Sequence, residues 1–113
     1  MNPIAITIPK VGSAASFFVM NDSHAATVIR VKTINDVPYI WVQADFSMQA
    51  PKKNKNDQPE YTYSRNTEGH TMIFRLNKRE KWDRVWENDK KDWVKSVVNS
   101  RLILGERKTK YFI

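Results

Sequence analysis

Two strand-like runs separated by one short turn constrain this chain more than any other feature. Residues 26–34 are dominated by β-branched side chains (Thr27, Val28, Ile29, Val31, Thr33, Ile34), and residues 38–46, with Tyr39, Ile40, Trp41, Val42 and Phe46, follow after the turn marked by Asn35 and Asp36 and one further residue, Val37. β-Branched and aromatic residues suit the pleated surface of a sheet. Asn and Asp adopt the backbone angles of a tight turn at little cost, so the pair of runs predicts a β-hairpin. Its first strand places Ile29, Val31 and Thr33 on one face, and Pro38 stands at the start of the second, where a missing N–H does least harm.

The rest of the chain repeats this pattern. Ser16, Phe17, Phe18, Val19 and Met20 form an apolar run of strand length that ends at Asn21, Asp22 and Ser23. Residues 61–65 and 71–76 read as the two strands of a second hairpin around Asn66, Thr67, Glu68 and Gly69. After the turn-like Asn77, Lys78, Arg79 and Glu80, residues 81–86 read either as a strand, with Trp82, Arg84 and Trp86 on one side, or as a helix. Residues 89–100 place Trp93, Val94, Val97 and Val98 on one side of a short helix capped by Asn88 or Asp89. Leu102, Ile103, Leu104 and Gly105 lead through a turn to a closing strand over 108–113. Six or so short strands and one helix predict a mainly β fold: a small SH3-like barrel or a bent antiparallel sheet with one short C-terminal helix.

Two stretches fall outside this pattern. Residues 49–60, with Lys52, Lys53, Lys55 and two prolines, have no apolar period and read as an exposed basic loop. The arm over residues 1–10, with Ile4, Ile6 and Ile8, reads as an edge strand of this domain or as a strand that pairs with a second copy to make a homodimer. A chain of 113 residues with 41% apolar side chains and four tryptophans is expected to form a single domain around one core. With no cysteine, a disulfide framework and thiolate chemistry are excluded. No apolar run reaches membrane-spanning length, and a soluble, cytoplasmic protein is expected.

Nineteen Lys and Arg against twelve Asp and Glu give a net charge of +7, which suits a polyanionic partner. The cations gather in three places: Lys52, Lys53 and Lys55; Lys78, Arg79, Lys81 and Arg84; and Arg107, Lys108 and Lys110. Together with Tyr61, Tyr63, Trp82 and Trp86 they can form a groove in which cations meet phosphates and aromatic faces stack bases. The competing reading is that the lysines solvate loops and the aromatics fill the core. Trp82 or Trp86 is the expected anchor, because both cannot easily face inward if this segment is an edge strand; if it is helical, Trp82, Val85 and Trp86 form one core stripe.

Catalytic patterns are missing. His24 and His70 match no metal-binding spacing, no serine sits in a nucleophile elbow, and three glycines build no phosphate-cradling loop. No cofactor is expected, and a small nuclease using His24 or His70 is the enzymatic alternative.

Residues 21–29, 40–45, 61–69, 74–76 and 104–107, followed by Tyr111, resemble a family of small β-rich proteins encoded by bacteriophages and prophages. The resemblance spans most of the chain and includes a strand opening after Val11-Gly12 and a Gly105-Glu106-Arg107 step before an aromatic strand. It departs in residues 1–10 and 88–100. It implies a viral protein acting in the host cytoplasm, of the kind that blocks a host defence system such as a CRISPR nuclease. The expected partner is then a host defence protein or ribonucleoprotein, engaged through the basic aromatic face. Direct binding of DNA or RNA and a role in virion assembly are the alternatives.

Overall fold

The computed structural model describes residues 8–19, 22–49, 60–96 and 100–107. Nine strands lie among them: β1 (Ala14–Val19), β2 (Asp22–Ile34), β3 (Val37–Ala44), β4 (Phe46–Gln49), β5 (Tyr61–Ser64), β6 (Thr71–Leu76), β7 (Trp82–Glu87), β8 (Trp93–Lys95) and β9 (Leu102–Leu104). Seven form one antiparallel sheet in the order β8-β7-β6-β3-β2-β1-β9, and β4 pairs with β5 in a separate two-stranded sheet.

The β2–β3 hairpin forms where the sequence predicts it. Asn35 and Asp36 both have positive φ, 51° and 65°, as a two-residue turn with the twist of the flanking strands requires. This sets Ile34 opposite Val37, Lys32 opposite Tyr39 and Arg30 opposite Trp41. The register then shifts by one residue between Val28 and Arg30. Ile29 therefore sits in a β-bulge instead of sharing a simple alternation with Val31 and Thr33, and the bulge lets both Val28 and Val31 face the core.

That core lies on one side of the sheet, where Ala15, Phe17, Ala26, Val28, Ile40, Val42, Met72 and Phe74 cluster. Trp82, Leu102 and Leu104 pack against its margin. Each fully buried side chain of the size of Ile40 or Phe74 contributes about 1.5–3 kcal/mol relative to an exposed one.

The β6–β7 and β7–β8 connections are built alike. Asn77 N–H donates to the carbonyl of Lys81, and the Asn77 side-chain oxygen accepts from the N–H groups of Arg79 and Lys81. Asn88 repeats the arrangement with Asp92, Lys90 and Asp92 again. Glu80 and Lys91 take the positive φ, 63° and 65°, that closes each turn.

Several expectations are corrected. The sheet is open: β8 and β9 are its two edges, and β4 and β5 pair with each other instead of completing a barrel wall. The radius of gyration, 15.5 Å, exceeds the roughly 13 Å of a compact chain of about 100 residues. No helix occurs among the described residues. Asn88 closes a β-turn instead of capping a helix, and Trp93 and Val94 lie in β8, while Val97 and Val98 fall outside the described residues. Residues 61–64 pair with β4, and 71–76 pair with β3 and β7, so they are not one hairpin. Residues 81–86 resolve as strand. Leu102–Leu104 is itself a strand, paired with β1. Residues 1–7 of the arm read over 1–10, residues 50–59 of the loop read over 49–60 and the closing segment over 108–113 lie outside the described residues, while Gln49 belongs to β4. Among those described, no helix is long and apolar enough to cross a membrane.

Candidate functional site

Alternation along β7 sends Trp82, Arg84 and Trp86 to one face and Asp83, Val85 and Glu87 to the other. Trp82 is half-buried against the core, whereas Trp86 is 53% exposed. β8 pairs with β7 over Val85–Glu87; Trp82, at the other end of the strand, packs on the core margin, and Trp86 is the exposed indole of the two. Four residues of strand rise separate the two indoles by about 13 Å. Beyond Trp82, the β6–β7 turn presents Lys78 and Arg79, with Lys81 leading into the strand, all three exposed. The central cluster of sequence-predicted residues therefore forms a linear stripe from a cationic turn to an exposed indole.

Lys52, Lys53, Lys55, Lys108 and Lys110 lie outside the described residues. Arg107 is engaged by the fold. Its Nε donates to Asp45 Oδ2 at 2.8 Å and its Nη2 to Thr27 Oγ1 at 3.0 Å, while Thr27 Oγ1 donates to Asp45 Oδ1 at 2.7 Å. Arg65 approaches the same carboxylate at 3.5 Å and donates to Gln43 Oε1 at 2.8 Å. Gln43 Nε2 in turn donates to the carbonyls of Thr67 and Gly69. The Asp45 side chain is only 1% exposed, and a polar group so enclosed costs free energy unless it is hydrogen-bonded, as it is here. The network ties the chain beyond β9 and the segment after β5 to the β2–β3 hairpin.

A second surface escapes the sequence reading. A cleft of about 300 Å³ is lined by Arg30, Lys32, Ile34, Trp41, Glu87 and Trp93. Glu87 follows Trp86, so the cleft opens on the sheet face opposite the β7 stripe. Trp93 reaches from β8 across the intervening strands to Tyr39, with ring centroids 5.3 Å apart, and to Trp41, which it meets edge-on at 5.9 Å. Arg30 lies over the Trp41 ring with its guanidinium carbon 4.8 Å from the centroid. The signal for this cleft was present in the turn: two-residue pairing at Asn35-Asp36 sets a cation opposite an aromatic twice, Arg30 with Trp41 and Lys32 with Tyr39.

The histidines are apart in role. His24 stacks on Phe17 at 5.3 Å, and His70 is exposed, its carbonyl accepting from Ala44 N–H. No group of three or more His, Cys, Asp or Glu among the described residues is placed to hold a metal ion. In comparisons with family models, with curated proteins and with solved structures, the chain matches none.

Proposed function

We propose that this protein is a non-enzymatic binding module that engages a polyanion along β7, with single-stranded nucleic acid as the first ligand to try. The observation that carries the reading is the exposed indole of Trp86 in line with Arg84 and the cationic turn of Lys78, Arg79 and Lys81. Cations that neutralise phosphates release counterions, and an indole stacks any base without demanding sequence. Such a module can act by occlusion, covering nucleic acid that another protein must reach.

Fluorescence polarisation with a labelled single-stranded oligonucleotide tests this. Affinity should fall steeply as salt rises from 50 to 200 mM, and Trp86→Ala should weaken it about tenfold, the low end for loss of one stacked base. Salt-independent or absent binding removes the reading. If a pull-down from host lysate then recovers one defence protein, whose capture Trp86→Ala abolishes, the inhibitor reading implied by the phage-type resemblance takes its place.

A further inference from the structure

The cleft on the opposite face carries a separate assignment. We infer that it is a site for one nucleotide unit whose base bears an exocyclic amine, the base lying against the Trp93 ring and the phosphate meeting Arg30 and Lys32. This does not rest on the β7 stripe, which lies across the sheet from it.

Three features of the lining select that chemistry. The first is flatness: Trp41 and Trp93 are both half-buried, and the guanidinium of Arg30 is layered on Trp41. Bases stack equally on aromatic rings and on arginine planes. The second is positive charge without an acidic partner. Among the described residues neither Arg30 nor Lys32 forms an ion pair, although Asp45 and Asp83 take the side chains of Arg65, Arg107 and Lys95. Two residues of strand rise separate Arg30 from Lys32, about 7 Å, so an anion between them can be met from both sides. The third is a single carboxylate. Glu87 is the only acid in the lining, and its contact with Lys91 is a long, exposed pair at 3.7 Å. A carboxylate accepts hydrogen bonds and donates none, so it recognises an amino group on the base edge, as carboxylates do with the cytosine amine. It rejects the carbonyl that uracil presents there.

Size agrees with a single unit. A cleft of about 300 Å³ is at the lower end of small-molecule sites, about 300–1,000 Å³. A base within a duplex is excluded, because both of its faces are already stacked.

Two-dimensional NMR of the indole N–H groups, assigned with Trp41→Phe, Trp86→Phe and Trp93→Phe, tests the inference with adenosine 5′-monophosphate, uridine 5′-monophosphate and ribose 5-phosphate as probes. The adenosine nucleotide should shift the Trp41 and Trp93 signals and leave that of Trp86 in place. Uridine 5′-monophosphate and ribose 5-phosphate should each bind at least tenfold more weakly. Arg30→Gln, an exposed change, should abolish the shifts with unchanged circular dichroism, and Glu87→Gln should erase the preference over uridine. A tetranucleotide of adenosines shows the source: tighter binding than the monomer assigns the site to a strand, equal binding to the free nucleotide. The inference is overturned if millimolar adenosine 5′-monophosphate moves neither indole, if ribose 5-phosphate binds as well, or if Arg30→Gln changes nothing. Loss of oligonucleotide binding on Trp86→Ala, with the adenosine shifts intact, would concern the stripe alone.

Discussion

The surroundings of Asp45 and those of Trp41 each hold two cationic side chains on the same hairpin or against it, and they use them differently. Around Asp45, Arg65 and Arg107 converge on a carboxylate that is almost fully enclosed. Around Trp41, Arg30 is stacked on an indole and Lys32 stands opposite Tyr39, with no carboxylate paired to either among the described residues. Net charge counts the four alike. The first pair is committed to holding segments together, and the second keeps its hydrogen-bonding capacity for something outside the fold. A formal excess of cations is therefore a statement about a binding surface only after those neutralised by buried acids have been subtracted.

The sharpest way to break the Asp45 region is through its backbone. A Cβ added to Gly69 would lie 2.1 Å from the carbonyl oxygen of Ala44, and neither atom belongs to a flexible side chain. Gly69→Ala should cost about 3 kcal/mol, the upper part of the range for overpacking, read as a lowered denaturation midpoint in urea. A loss below about 1 kcal/mol would mean that the turn over residues 66–69 yields easily and does not position Gln43.

Removing the acid itself comes next. Asp45→Ala deletes a charged hydrogen bond with Arg107, one with Thr27 and the longer contact with Arg65. Both arginines are partly exposed and regain water, so a cost of about 2–3 kcal/mol is expected. Arg107→Lys should cost about 1 kcal/mol, because an ammonium keeps the charge but cannot reach Asp45 and Thr27 together as the planar fork does. A double-mutant cycle between positions 45 and 107 checks that the two losses are one interaction. Additive losses would dissolve the contrast between the two regions.

The sequence carried much of this fold, and the places where it misled share a physical cause. The β2–β3 hairpin was legible because local features agreed: β-branched alternation on both sides and a residue pair that accepts positive φ. Asn88 was misread because one side-chain geometry serves two structures. An asparagine oxygen accepting backbone N–H groups two to four residues ahead caps a helix or closes a three-residue β-turn, and only the pairing of Trp86 with Val94 decides between them. Asn77 makes the same bonds at the turn before β7, where the run over 81–86 was open to either reading. The partner of β5 was missed because β4 lies on the far side of the loop over 50–59, and such separation carries no local signal. At the β7 stripe, composition identified the residues but not their exposure. Trp82 and Trp86 share a strand face, yet the first packs against the core cluster and the second is exposed. Of the cleft, only the hairpin half was legible: Arg30 and Trp93 are 63 positions apart by number, brought together by four successive strand pairings that no periodicity announces.

The smallest expected effect on stability is the most informative for the comparison. Arg30→Gln removes a cation–π contact at an exposed position, worth about 0.5–1 kcal/mol, and leaves no buried partner unsatisfied, since the indole face it uncovers can be wetted. Arg107→Gln, the same chemical change in the other region, takes charge from an enclosed carboxylate and should cost about 2 kcal/mol. Thermal denaturation of the two variants side by side therefore measures how far each arginine is committed to the fold. If Arg30→Gln proves the more damaging, the stack on Trp41 is a structural clamp, and the cleft has no cation to spare for an anionic ligand. If it is the milder, as the absence of an acidic partner among the described residues requires, then a cation held in position at little benefit to stability needs a reason outside folding, and the cleft it borders supplies one.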